Sequence, residues 1–402
     1  MSLDKQTLEK SHSDIYECHV FSLFLLLPLL VEFIAVVTHG GGRLYTITLN
    51  IFLLVLSLLL EIRKNNTREC IILFSIYVLF FLNYALVPNN SKFYVETSML
   101  LVYFIYLPIV IFCIRRITSW NYIFEVLKPY CFIAAAISVF IVFYSDVSQF
   151  REFFSYMEYS YNVIPFAACS WISFRKYNSI AHFILFLIIF ACVILYGSRA
   201  ALLCLILFVF MFEIYANKGY KRKLLVISSV FLVAVIANIA EFLAYTSLLE
   251  DDVFSNSYIV SRLTSGSLFS SDGRDDIYNR SIHYISSIGI EIQGFFGDRP
   301  VNNGVWPHNI FLELIMQFGW FIGPVLCMAL VYIIIKSLFV KEYFVISLFI
   351  IITFLGRYWF SGSYLIEGKF WLSLISLITI INKGRFNAEK SFNCKQSKMA
   401  HS

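Results

Sequence analysis

Twelve runs of mostly apolar residues take up more than half of this chain. A helix needs roughly 20 such residues to cross the hydrocarbon core of a bilayer. The runs fall near 20–38, 44–62, 70–87, 95–114, 128–145, 161–174, 179–196, 200–216, 223–245, 310–335, 342–360 and 365–382. The sixth is short, and the twelfth carries Glu367 and Lys369. Charged residues make up only 14% of the chain, against about 25% in a soluble domain. So few charges cannot clothe a water-facing surface, so lipid must cover much of the protein. The fold class expected is therefore all-α: a polytopic integral membrane protein of about twelve transmembrane helices, a single domain over 1–402. Residues 1–19 are polar and mixed in charge, with no small-residue cleavage site after the first apolar run. That run is expected to remain as a span rather than leave as a signal peptide.

Lys and Arg orient the spans, because they concentrate in cytoplasmic loops. With a cytoplasmic N-terminus, 21 of the 31 Lys and Arg residues fall inside and 9 outside, leaving Lys369 within a span. Arg43, Lys92, Arg151, Arg199 and Arg357 each stand alone in an outside turn. Both termini are expected inside. The net charge of +5 follows from this anchoring pattern. No basic cluster sits beside interleaved aromatics in a polar segment, which argues against nucleic acid as a partner.

One external loop is long. It runs from Thr246 to Pro307, between spans nine and ten, and is rich in Ser, Asp and Gly. A short amphipathic helix is expected near Asp275–Ile288. Long loops on a tightly looped scaffold tend to carry function, although a passive cover has the same composition.

Three stretches on the predicted outer face hold chemistry-bearing residues. Gly197-Ser198-Arg199-Ala200 forms a tight turn between spans seven and eight. An Arg held at the membrane surface needs an anionic partner or a route to the headgroups. A diphosphate would serve, since guanidinium grips phosphate oxygens in a bidentate way; a plain headgroup anchor is the alternative. Asp272-Gly273-Arg274-Asp275-Asp276 is followed by Arg280 and His283. Asp272 is a possible helix cap, and Asp276 and Arg280, four apart, are spaced to pair. That pairing would leave Arg274 the freer cation. Pro307-His308-Asn309 opens the tenth run, with Glu313, Gln317, Gly319 and Gly323 beyond it. A neutral imidazole there can take a proton from a sugar hydroxyl; a helix cap or a headgroup contact are the alternatives. Rival carboxylate bases are Glu32 and Glu241 within spans and Asp275, Asp276, Glu291 and Asp298 in the loop.

Other signatures are missing. There is no Gly-rich phosphate loop with Lys, no HExxH and no GxSxG, and no aspartate pair in an early outer loop. Neither a metal nor a cofactor is expected. The nine cysteines show no CxxC pair and lie mostly in apolar runs, as small buried hydrophobes do. The two halves show no internal repeat, and the paired interrupted helices of an inverted-repeat transporter are not evident.

The Gly-Ser-Arg-Ala turn, the Gly-Arg-acidic element of the late loop, and His308-Asn309 leading to Leu312, Gly319 and Gly323 resemble the O-antigen ligase and polymerase superfamily. The resemblance spans roughly residues 190 to 325 and rests on the order of three short motifs. It implies a metal-free membrane glycosyltransferase acting on undecaprenyl-diphosphate-linked glycan repeat units at the periplasmic face of a bacterial inner membrane. Arg199 and Arg274 would bind the diphosphate, with Arg280 a possible third cation, and His308 would position or deprotonate the acceptor. Ser198, Asn309 and Glu313 would line the substrate. The high aromatic content, 42 Phe and 25 Tyr, is closer to the polymerases than to the ligases. Expected partners are the lipid-linked units, membrane lipids, a chain-length regulator and a flippase. A lipid-linked glycan flippase is the rival of another class; a scaffold leaves the ordered Arg, Arg and His unexplained.

Overall fold

In this computed structural model, residues 5–38, 42–59, 66–144, 156–217 and 274–400 are described. All regular secondary structure among them is helical. Every expected run that falls within the described residues coincides with a helical segment, and seven helices are long and apolar enough to cross a membrane. The ninth run with its Glu241, the loop through Gly273 with Asp272, and Arg151 lie outside the described residues.

The chain divides into two compact units. The first comprises Met1–Leu53, Tyr122–Asp275 and Ile352–Arg357. Its central helix is Tyr156–Tyr177, which packs against Lys5–Val37, Ile123–Tyr144, Ile180–Tyr196 and Arg199–Ala216. That explains its sequence. A helix ringed by other helices gains from small residues that let backbones approach. Ala167, Ala168, Cys169, Ser170 and Ser173 are all buried there. The helix is longer than the apolar run 161–174: Tyr159 and Ser160 extend its buried part, and the exposed Glu158, Arg175, Lys176 and Tyr177 lie beyond it. Polar residues gather at both ends of this unit. At one end Glu213 accepts from Arg175 Nε at 2.7 Å and from Trp171 Nε1 at 3.0 Å, and Lys176 bonds Glu125 at 3.0 Å. These basic residues are ones the charge pattern puts inside. At the other end Asn162 donates to Glu32 at 2.6 Å, and Arg357 lies 3.7 Å from Glu158.

The second unit comprises Leu54–Asn121, Asp276–Ile351 and Tyr358–Ser402. Here Ile310–Leu338 packs against Gly368–Ala400, and Thr67–Leu86 against Leu107–Phe112. The Ile310–Leu338 segment departs from the single span expected of it. Gly319 has φ 68° and ψ −177°, which breaks the helix. The two arms then fold back on one another. A Cβ on Gly323 would lie 2.6 Å from Cα of Ile315, and Cys327 Sγ reaches the Phe311 carbonyl at 3.9 Å. In a straight helix, residues 16 apart would be separated by about 24 Å. The segment is thus a helical hairpin. Its second arm, 320–338, is about 28 Å long at 1.5 Å per residue, enough to span a bilayer core by itself.

The break also frees backbone groups, which the loop takes up. The Gln317 carbonyl accepts from Gln293 N at 2.9 Å and Gly294 N at 2.8 Å, and Trp320 N donates to Gly289 O at 3.0 Å. Upstream stands the helix Arg274–Ile288, as expected of that stretch, with Ser281, Ile285 and Ile288 buried along one face. Trp320 Nε1 donates to the Ile285 carbonyl at 2.8 Å. Asn83 and Asn90 secure the loop from the other side: Asn90 donates to the Gln293 and Phe295 carbonyls at 3.1 and 3.0 Å, and Phe295 N donates to Asn83 at 3.1 Å.

The hairpin predicts a graded glycine response. At Gly319 a Cβ would sit 2.6 Å from the Glu291 carbonyl oxygen, on top of the positive φ; Gly304 has φ 87° with open space around it. Gly319→Ala is expected to destabilise by about 3 kcal/mol and Gly304→Ala by about 1 kcal/mol. Thermal unfolding of both variants in detergent checks the order.

Candidate functional site

In the first unit the Gly-Ser-Arg-Ala turn is built by capping. Ser198 is the N-cap of Arg199–Ala216, its hydroxyl accepting from Ala201 N at 3.2 Å. Ser160 Oγ, on the central helix, donates to Ser198 Oγ at 3.2 Å and accepts from Ser198 N at 3.2 Å. Ser198 is buried at 5% exposure, so its hydroxyl serves the cap and the tie to Ser160. The tie fixes where the helix begins, and with it Arg199, half-buried at the helix N-terminus. Arg357 belongs to the same end of this unit. It is buried, lies over the Tyr161 ring at 5.5 Å, and pairs with the exposed Glu158. Arg274, half-buried, opens the Arg274–Ile288 helix. Arg280 is exposed on that helix, and the ion pair expected between it and Asp276 is not formed. With both carboxylate and guanidinium in water, such a pair gains only a few tenths of a kcal/mol.

In the second unit the loop from Gly289 to Asn309 delivers the His-Asn pair. Asn309, not His308, is the cap. Its Oδ1 accepts from Phe311 N at 3.0 Å and Leu312 N at 3.2 Å. His308 precedes the cap in a left-handed conformation, φ 56°. Of the four non-glycine residues with positive φ among the described residues, Phe296, Asn303 and His308 lie within this one loop. Each such backbone costs of order 1 kcal/mol or more, and strain of this kind clusters at functional sites.

One arginine holds the loop together. Arg299 is 2% exposed. Its Nη1 donates to the Gly304 carbonyl at 3.1 Å, while Gly304 N donates back to the Arg299 carbonyl at 2.8 Å. Its guanidinium lies over Trp306 at 4.9 Å and Phe296 at 5.5 Å. A desolvated contact of this kind contributes about 2 kcal/mol. Trp306 in turn meets the His308 imidazole edge-on, centroids 5.5 Å apart. The counter-ion is Asp298, fully buried, 3.7 Å from Arg299 Nε. Burial pushes the Asp298 carboxyl above the usual range, with Arg299 and Gln317 pulling against it.

A polar stripe along the first hairpin arm completes the unit. Asn309, Glu313 and Gln317 are four apart and so share one helical face. All three meet the chain around the end of the following span, Lys341–Phe360. Asn309 Nδ2 donates to the Trp359 carbonyl at 3.5 Å, Ser363 Oγ donates to Glu313, and Tyr364 Oη donates to Gln317 Oε1 at 2.5 Å. Gln317 Nε2 then donates to Asp298 at 2.6 Å. Asp298, Glu313 and Gln317 are buried at 1% exposure or less.

Of the residues singled out in the sequence, Ser198, Arg199 and Arg274 belong to the first unit, and Arg280, His308, Asn309 and Glu313 to the second. Arg299 and Trp306 are not among the expected site residues, and Asp298 is only one of several rival bases. Their signal was present: an acid-base dipeptide inside Phe295-Phe296-Gly297-Asp298-Arg299-Pro300, charged residues flanked by apolar ones. Among the described residues no cluster of His, Cys, Asp and Glu could hold a metal ion. Six cysteines are buried, as small hydrophobes are.

Comparison with family models, curated proteins and solved structures gave no match. The functional reading therefore rests on the residues themselves. The buried network gives a first test. Gln317→Leu strips Asp298 and Tyr364 of their shared partner and is expected to cost about 3 kcal/mol. Ser286→Ala, an exposed hydroxyl bonded within its own helix, is expected to stay within about 0.5 kcal/mol. Thermal unfolding of the two variants compares them.

Proposed function

We propose that this protein is a polymerase of lipid-linked glycans, joining undecaprenyl-diphosphate-linked repeat units at the periplasmic face of a bacterial inner membrane. The observation that carries the reading is the His308 turn: a strained imidazole-bearing turn, held from beneath by a buried cation, at the head of a broken helix. A left-handed residue persists only where the surroundings over-determine it. Here they fix the ring of the one side chain in the loop suited to proton transfer near neutral pH.

In this reading the acceptor sugar's hydroxyl oxygen attacks the anomeric carbon of the donor glycan. The bond from that carbon to the diphosphate oxygen breaks, with inversion. His308 takes the hydroxyl proton. Arg199, at a helix N-terminus where anions are favoured, and Arg274 hold the departing undecaprenyl diphosphate and stabilise its developing charge. Arg280, exposed on its helix, is available to a third phosphate oxygen. No metal is required, because the guanidinium groups supply the positive charge. Asn309 and Glu313 contribute by shaping the turn and the first hairpin arm, and Ser198 by fixing the start of the Arg199 helix.

A second reading, a flippase for the same lipid-linked units, is favoured by one observation. The helix interrupted at Gly319 is the kind of discontinuity found where transporters bind substrate. A ligase that passes the glycan to lipid A-core shares the proposed chemistry. The products separate the three. Loss of the polymerase leaves surface lipid bearing single repeat units. Loss of the ligase lets lipid-linked polymer accumulate, and loss of the flippase traps single units on the cytoplasmic side.

Incubation of purified protein with a lipid-linked repeat unit is expected to yield a ladder of products. Arg199→Ala, Arg274→Ala and His308→Ala are each expected to lower turnover by about a hundredfold or more while the protein still inserts. A normal ladder from all three would overturn the site.

A further inference from the structure

The first hairpin arm does not by itself orient His308. Asn309 satisfies the helix's leading N–H groups, and His308 lies one residue before that cap. One contact of the imidazole is with Trp306, ring centroids 5.5 Å apart. What faces Trp306 is Arg299, 4.9 Å from the ring centroid. Arg299 also closes the turn that leads there, bonding the Gly304 carbonyl through Nη1 and receiving Gly304 N and Asn302 N on its own carbonyl, at 2.8 and 3.2 Å. The same side chain therefore fixes the path of the chain between residues 299 and 304 and the plane of the indole after it.

The chemistry of Arg299 is unusual for a structural residue. It is 2% exposed, and its Nε and Nη2 have no hydrogen-bond partner in the protein. Buried donors are nearly always satisfied, and a native exception calls for a role. Asp298 stands at 3.7 Å from Nε, beyond hydrogen-bond length, and its other oxygen is committed to Gln317. Aromatic faces take the place of acceptors: Phe93, Phe296 and Trp306 lie 5.9, 5.5 and 4.9 Å from the guanidinium carbon. A guanidinium is planar and more weakly hydrated than an ammonium, so it stacks on rings where Lys would not settle as well.

We propose that Arg299 is a positioning residue for His308, acting through the face of Trp306. The proposal rests on the reading of His308 as the proton acceptor, and it deepens that reading by naming what aims the imidazole. Arg299 touches no substrate in it. The guanidinium fixes the indole, the indole fixes the imidazole, and the left-handed turn is the backbone's accommodation to that arrangement.

The test uses the full-length protein in detergent. Diethyl pyrocarbonate is applied, and carbethoxylation of each histidine is followed by peptide mass spectrometry. His283, exposed on the Arg274–Ile288 helix, is the internal reference. Arg299→Met is expected to change the His308 rate by about tenfold, as the ring leaves its fixed setting, with His283 within about twofold of wild type. Arg299→Lys, which keeps a cation over the indole, is expected to restore most of the wild-type rate. If Arg299→Met does not fold, Trp306→Leu, which removes the ring linking the two, is read by the same criteria. An unchanged His308 rate, or a parallel change at His283, overturns the proposal. In the product-ladder assay Arg299→Met is expected to lower kcat about tenfold with KM within about threefold. A wild-type protein that makes no ladder refutes the polymerase reading, while the His308 rates still decide the positioning claim.

Discussion

The reversal at Gly319 is the constraint on which the second unit depends. An apolar segment that ran straight from residue 310 to 338 would be far longer than a bilayer core, about 43 Å at 1.5 Å per residue. Breaking it at one left-handed glycine turns the excess into a short arm packed on its own continuation. Gly323 then lets the arms touch at backbone distance, and Gln317 and Trp320 offer the groups released at the break to the loop from Gly289 to Gly294. The loop is thereby seated on the hairpin's apex, and every later feature follows from that seat. Asp298 reaches Gln317, Arg299 follows Asp298, and the turn through Trp306 to His308 is closed over them.

This gives the loop an inverted economy. Most loops are polar and solvated, whereas here Asp298, Arg299, Asn302 and Phe296 are almost wholly buried. A buried charge is destabilising unless it is paired and bonded, and the Asp298–Arg299 contact at 3.7 Å is loose for such a pair. Ring faces and Gln317 make up part of the difference. Local stability is given up in exchange for one defined path of the chain into His308. The first unit uses another device for the same end: the Ser160–Ser198 tie joins the central helix to the residue before Arg199, so a cap, not strain, sets the arginine's place.

The apolar runs were legible in the sequence because twenty-residue hydrophobic stretches admit few other structures. The alternation of Lys and Arg was legible too. Some of the basic residues it groups pair with carboxylates, Arg115 and Arg116 with Glu69 at 3.0 and 3.3 Å in the second unit and Arg175 with Glu213 in the first. The Arg274–Ile288 helix could be read from its amphipathic pattern. The helix break could not, since a glycine within an apolar run is ordinary in membrane helices, and only the Glu291 carbonyl pressed against Gly319 shows why it turns. Arg299 escaped notice for a related reason. Four arginines share the long loop, and sequence distinguishes a buried one from a solvated one only through its neighbours. Asn309, Glu313 and Gln317 carried a readable spacing, but their partners at Trp359, Ser363 and Tyr364 lie about fifty residues onward, beyond any local pattern.

The central claim is that the His308 turn meets a lipid-linked glycan. The most direct measurement is the rate of His308 carbethoxylation in the full-length protein, with and without added undecaprenyl-diphosphate-linked repeat unit. The account predicts that the lipid-linked unit slows modification of His308 and leaves the exposed His283 unchanged. Equal His308 rates with and without the lipid-linked unit, at saturating concentration, would contradict it.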